Sequence, residues 1–123
     1  MSVEEKIYSV ISASTAIAAV ASTRIYPLAI PQGVAAFPAL VYNRAGSQRV
    51  HSLAGYSGLE NAQIEITCWA TRYDDAKGLS TMVHAALQGA TDFAALLTDD
   101  ADGLEPEAGL FSITMNFSVW NRE

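Results

Sequence analysis

From Ala62 to Thr71 apolar and polar residues alternate without a break, with Ala62, Ile64, Ile66, Cys68 and Ala70 on one side and Gln63, Glu65, Thr67, Trp69 and Thr71 on the other. Alternation with a period of two is the pattern of a strand with one buried and one outward face. A slip of one residue would bury every polar group, so the register is tightly held. The segment therefore commits the chain to a sheet with one covered side. Its outward side is not plain, because Trp69 falls where solvent is expected. A similar pattern runs near the end of the chain. Phe111, Ile113, Met115, Phe117 and Val119 share one face of a strand expected over Leu110–Trp120, which leaves Trp120 in the outward register.

Two main helices are expected to cover the sheet. Ser2 and Glu5 have capping-box spacing, and Val3, Ile7, Val10 and Ile11 then recur at helical intervals, predicting a helix over 3–13. Ser14 and Thr15 punctuate it, and Ala16–Ala21 reads as a further short helical turn. Ala76, Leu79, Val83, Ala86 and Leu87 form the stripe of the second main helix, opened at Thr71–Asp74 and ended by Gly89. Asp74 and Asp75 suit the positive end of its dipole. Between the helices, Arg24–Pro27 is a short extended piece and Pro31–Gly33 a turn. Pro38 opens a strand through Ala39–Asn43. Residues 45–61 are rich in Gly and Ser, but Gln48–Leu53 can extend, so a protruding hairpin is expected. Residues 91–97 suggest a short helical turn, and 99–107 an acidic loop. The fold class is α+β, an antiparallel or mixed sheet of about four strands with two main helices on one face, as one domain over 1–123.

Charge narrows function. The 123 residues are 50% hydrophobic and 16% charged, enough for one core and too apolar for wholesale disorder. The net charge is -6. It splits unevenly, with four basic and three acidic residues in 1–61 but three basic and ten acidic in 62–123. A duplex-DNA reader needs a basic footprint, so that class is excluded. Cys68 is the only cysteine, which excludes a disulfide framework and a cysteine zinc site. Its place in the alternating strand makes it a buried thiol rather than a nucleophile. Glu4 and Glu5 stand where an export signal would be basic, and no apolar run is long enough to cross a bilayer.

A search for chemistry returns little. No phosphate loop or nucleophile elbow is present. His51 and His84 have no spaced ligand partner, and His84 reads as a partly exposed helical residue. Thr98, Asp100 and Asp102 align with the first three ligand positions of a calcium loop, but Gly109 falls where its bidentate glutamate must be. No catalytic, cofactor or metal residue is therefore assigned. Aromatic residues in outward registers instead point to contact with other proteins. The candidate interface set is Arg49, His51, Leu53, Tyr56, Trp69, Trp120 and Arg122. Asp99, Asp100, Asp102, Glu105 and Glu107 form a candidate acidic surface.

One ordered set of residues goes further. Arg24-Ile25-Tyr26-Pro27, Pro31-Gln32-Gly33 and Phe37-Pro38-Ala39-Leu40-Val41-Tyr42 are followed by Gly58-Leu59 and the strand Gln63–Thr71. Tyr73-Asp74-Asp75-Ala76 then opens a helix, and Phe117-Ser118-Val119-Trp120 ends the last strand. In this order and spacing the chain resembles the tail completion, or tail terminator, family of long-tailed bacteriophages and related prophage elements. The resemblance implies a virion protein of the tail and neck, made in the host bacterial cytoplasm. It implies a homo-oligomeric ring, commonly a hexamer, on the head-proximal end of the tail tube. Such a ring stops tube growth, touches the tail tube protein and the head–tail connector protein, and lets DNA pass through its lumen without specific binding. No cofactor, catalysis or membrane contact is implied. Six copies of a chain of charge -6 would carry -36, a charge that repels DNA, with the acidic surface placed toward the lumen. A head-completion or connector protein of the same neck, and a small ligand-binding regulatory domain using the Trp69 face as a pocket, are the alternatives.

Overall fold

A computed structural model describes residues 3–21, 24–27, 37–52, 55–90, 93–105 and 109–122. The alternating segment is the middle of a long strand, β3 (Gly55–Ala70), lying between β2 (Ala39–Ser52) and β5 (Leu110–Arg122). A short β1 (Ile25–Pro27) lies outside β2, and β4 (Phe93–Glu105) lies outside β5, giving the order β1-β2-β3-β5-β4. Among the described residues the sheet has five strands rather than about four. It is mixed, because β1 runs parallel to β2 while the other pairings are antiparallel.

Among the described residues three helices cover one face. They are α1 (Val3–Ala13), α2 (Thr15–Ala21) and α3 (Tyr73–Gln88). Ser14 separates the first two and caps the second, its Oγ accepting from the Ile17 N–H at 3.3 Å. The helix expected from Ala76, Leu79, Val83 and Leu87 buries those four side chains, with Ser80, and lies across β3 and β5. Beneath it, Ala62, Ile64, Ile66, Cys68 and Ala70 meet Ile113, Met115, Phe117 and Val119, all buried on the face that the alternation predicts. Ile7 and Ile11 of α1 and Ile17 of α2 complete the core. Each large side chain so buried contributes about 1.5–3 kcal/mol. His84 is half-buried on α3, its ring centroid 6.1 Å from that of Phe117.

Two sequence expectations fail together. Residues 93–97 are not a helical turn, and residues 99–105 are not a loop; from Phe93 to Glu105 they form β4. Only Phe93 is buried in that strand, and everything past Leu97 is exposed. As an edge strand with little core to face, β4 has no need of alternation, so aspartate and glycine are tolerated there. A bulge at Thr98 separates the pairs Leu97↔Phe117 and Asp99↔Asn116. The expected hairpin is present, formed by β2 and β3. It continues to the pair Ser52↔Gly55, whereas β3 leaves β5 at Leu59↔Arg122, so the hairpin runs past the end of β5. The cap at Ser2, the turn at 31–33, Leu53 and Glu107 lie outside the described residues.

Burial pushes the Cys68 thiol up from 9.0 to about 12. Between those values the unfolded chain releases a proton that the folded chain keeps, so the unfolded state binds fewer protons and stability falls as pH rises. The slope from this one group approaches ~1.4 kcal/mol per pH unit. Urea denaturation at pH 8 and pH 10 should show the fall, and Cys68→Ala should flatten it. A thiol reagent should label the native protein only as fast as it unfolds; rapid labelling at pH 8 would contradict the burial.

Candidate assembly interface

The sheet face opposite the helices is a lattice of polar cross-strand pairs. Thr67 and Thr114 hydroxyls lie 3.3 Å apart. Asn116 Nδ2 donates to Asp99 Oδ1 at 2.7 Å, and Thr98 Oγ1 donates to the Asn116 carbonyl at 2.9 Å. Asn61 Nδ2 donates to Ser118 Oγ at 2.8 Å, while Gln63 Nε2 donates to Asn61 Oδ1 at 3.1 Å. Such bonds hold a solvated face flat and ordered without burying it.

Two aromatic side chains interrupt the lattice at its two ends. Trp69 is half-buried in a row of small residues, opposite Ala39 on β2 and Ser112 on β5. Ser112 in turn pairs with Gly103 on β4, where a Cβ would lie 2.6 Å from the Ser112 Oγ, so a larger residue there would force the serine hydroxyl to move. Trp120 lies at the other end, opposite Asn61 and Ala94, and is 42% exposed. Leu96, one outward position along β4, is 63% exposed. Leu96 and Trp120 thus form an exposed apolar pair at the sheet's edge. Leu96 has no counterpart in the sequence reading, because taking 91–97 for a helical turn hides its outward register.

The candidate interface residues therefore divide. From Asn61 to Trp69 along β3, the two tryptophan rows are roughly 27 Å apart. Trp120 and Arg122 lie in the last residues of β5, near the hairpin backbone that carries Arg49, His51 and Tyr56. Trp69 stands apart from them, and Leu53 falls outside the described residues. Of the acidic set, Asp99, Asp100, Asp102 and Glu105 are exposed on β4.

On the helix side, Tyr73 at the start of α3 donates its hydroxyl proton to Asp102 Oδ2 at 2.9 Å and meets Phe111 edge-on, centroids 6.2 Å apart. The Asp102 hydrogen bond raises the phenol's pKa above its ordinary 10.0. A cavity of about 300 Å³ opens where α1, β1 and β2 meet, lined by Glu4, Pro27, Tyr42, Asn43 and Arg44. Arg44 Nε lies 3.3 Å from Glu4 Oε1 there, and burial, followed by the nearby Tyr8 and Glu4, raises the Tyr42 phenol. Among the described residues no three His, Cys, Asp or Glu side chains group as a metal site, and no helix is long and apolar enough to cross a membrane.

The family model for the tail completion protein gp17 matches residues 5–122. The chain belongs to that family. It is a structural component of a phage-type tail, and thus of a virion that it builds together with other tail proteins. A chain of the virion of a native gene transfer agent particle shares the fold, with a TM-score of 0.75 at 18% identity over 98% of this chain and 95% of that one. Two Akkermansia muciniphila structures, one of them without its transmembrane region, align at a TM-score of 0.38 and 8–10% identity. They cover 66% and 68% of this chain and 44% and 42% of their own, and carry no argument. No curated protein matches the sequence.

Exposed and buried apolar residues of this family member should separate in denaturation experiments. Replacing both Leu96 and Trp120 by serine should change stability by no more than about 0.5 kcal/mol per site. Phe117→Ala, which hollows the core, should cost about 3–5 kcal/mol. A loss for the serine pair as large as for Phe117→Ala would put Leu96 and Trp120 in the core.

Proposed function

We propose that the chain assembles into a hexameric ring on the head-proximal end of the tail tube. There it ends tube elongation and presents the surface that the head–tail connector joins. The match to the tail completion family over residues 5–122 carries this reading. The chain acts as one tail-terminator-like domain, with the tail tube protein on one side and the connector on the other. No catalytic step is part of the role.

The surface supports it physically. A closed ring of identical subunits needs two different patches on each copy, one for each neighbour. The exposed pair Leu96 and Trp120, near the hairpin backbone that carries Arg49, His51 and Tyr56, supplies one such patch. Trp69, at the far end of the same sheet face, marks another. The net charge of -6 per copy suits a lumen through which DNA slides without sticking.

Electron microscopy of particles made without this gene tests the role. Tails of abnormal length are expected. Tails of normal length detached from heads would instead assign the chain to the connector. At the residue level, Trp120→Ala should lower ring formation, followed by light scattering, while leaving the subunit folded. Shortening the hairpin within 47–57 should damage assembly more than stability. A large fall in melting temperature with intact assembly would overturn that assignment.

A further inference from the structure

β4 is last in the strand order, and its outer half, Asp99–Glu105, pairs with β5 on one side and with no strand on the other among the described residues. The chain between the described segments cannot line this edge. Apart from 28–36, each such stretch has three residues or fewer, against the seven from Asp99 to Glu105. Residues 28–36 join Pro27 of β1 to Phe37 just before β2, at the opposite side of the sheet. With strands about 4.8 Å apart, passing outside β4 and returning would need roughly 43 Å, whereas ten links of chain span at most about 35 Å. Edge strands are ordinarily guarded by lysine or proline. β4 has neither, and it exposes Leu96 at 63% and Leu104 at 58%. Leu104 pairs with Phe111 on the helix side of the sheet. Tyr73, 38% exposed, meets Phe111 edge-on there and binds Asp102, so Leu104 and the tyrosine ring form a small apolar seat beside the edge. Asp99, Asp100, Asp102 and Glu105 are exposed along the same seven residues, and β4 carries no basic residue.

We propose that the Asp99–Glu105 edge of β4 takes up an extended segment of another tail protein, rich in lysine or arginine, as an added strand. Main-chain hydrogen bonds supply the contact in strand addition, and alternate side chains of the incoming segment supply the selectivity. Here the selectivity is electrostatic on both faces. Asp99 and Glu105 lie in the outward register, and Asp100 and Asp102 in the helix-side register, so basic residues of either parity meet a carboxylate. Two of these carboxylates are already oriented, Asp99 by Asn116 at 2.7 Å and Asp102 by Tyr73 at 2.9 Å. An apolar residue of the segment covers Leu104 beside Tyr73. The same charges reject a second β4 as the occupant, because carboxylate would then oppose carboxylate. The contact needs only one copy of the chain, so it stands apart from the ring reading and holds whatever the number of subunits. The acidic residues thereby face a partner protein rather than the lumen.

A peptide with blocked ends, Lys-Val-Thr-Lys-Thr-Lys-Lys, is the probe. Laid antiparallel to β4, it sets valine opposite Leu104 and a lysine opposite each carboxylate. In an NMR titration of the full chain it should shift the amide signals of 99–105 and slow their hydrogen exchange. Two further peptides are N-methylated at alternate residues, one on each edge. The form blocked on the edge facing β4 should bind roughly tenfold or more weakly, and the other like the parent. The variant Asp99→Lys, Asp100→Lys and Glu105→Lys spares Asp102 for Tyr73. Shown to be folded by circular dichroism, it should also bind the parent peptide roughly tenfold or more weakly. No shifts at 99–105, equal binding of the two methylated forms, or a folded variant that binds unchanged would overturn the added strand. The occupant is then read in assembled tails that carry a photoreactive benzoylphenylalanine in place of Ala101. Cross-linking to a lysine- or arginine-rich segment of another tail protein is expected. Cross-linking only to a second copy of this chain, or to nothing, would overturn that occupant.

Discussion

The ladder between β3 and β5 is the constraint on which the rest of the molecule depends. It runs from Leu59↔Arg122 to Ala70↔Phe111 without a register shift, whereas the ladders on either side each contain bulges. An unbroken ladder keeps every second residue on one face, so two strands present a single apolar floor to α3. Cys68, Ile66, Ile64 and Ala62 on one strand and Ile113, Met115, Phe117 and Val119 on the other form that floor. A bulge here would turn half of those residues toward water. The bulges lie instead at Arg44/Gly46 and Val50/His51 on the hairpin side and at Leu97/Asp99 on the edge side, where strands can bend without opening the core.

That division also explains what could be read from the chain alone. The floor and its covering helix were legible because both faces of each element have a strict periodic demand, two for the strands and about 3.6 for α3. The hairpin was legible from extended residues within a glycine-rich run. β4 was not, because the side chains of its outer half are exposed and its composition resembles a loop; only pairing with β5 makes it a strand. The parallel β1–β2 contact was equally hidden, since it joins Ile25 to Leu40 across a connection that has no pattern of its own. For the candidate interface, Trp69 and Trp120 were found from their outward register, while Leu96 was lost with the strand that carries it.

The outward face then has a coherent physical character. Its middle is tied by hydrogen bonds between Thr67, Thr114, Asn116, Asp99, Asn61 and Ser118, leaving few groups seeking partners. Apolar surface is confined to its ends. An outward face of this kind keeps its exposed apolar surface small and localised.

Lys6 of α1 donates a hydrogen bond to Oδ1 of Asn121, a residue 1% exposed near the end of β5. The bond spans 115 positions of the chain. A ribosome making this protein therefore releases the polar anchor of the first helix long after the helix itself. Until β5 has emerged, α1 has neither Asn121 nor the finished floor to dock on, and a prematurely ended chain cannot lock its own beginning.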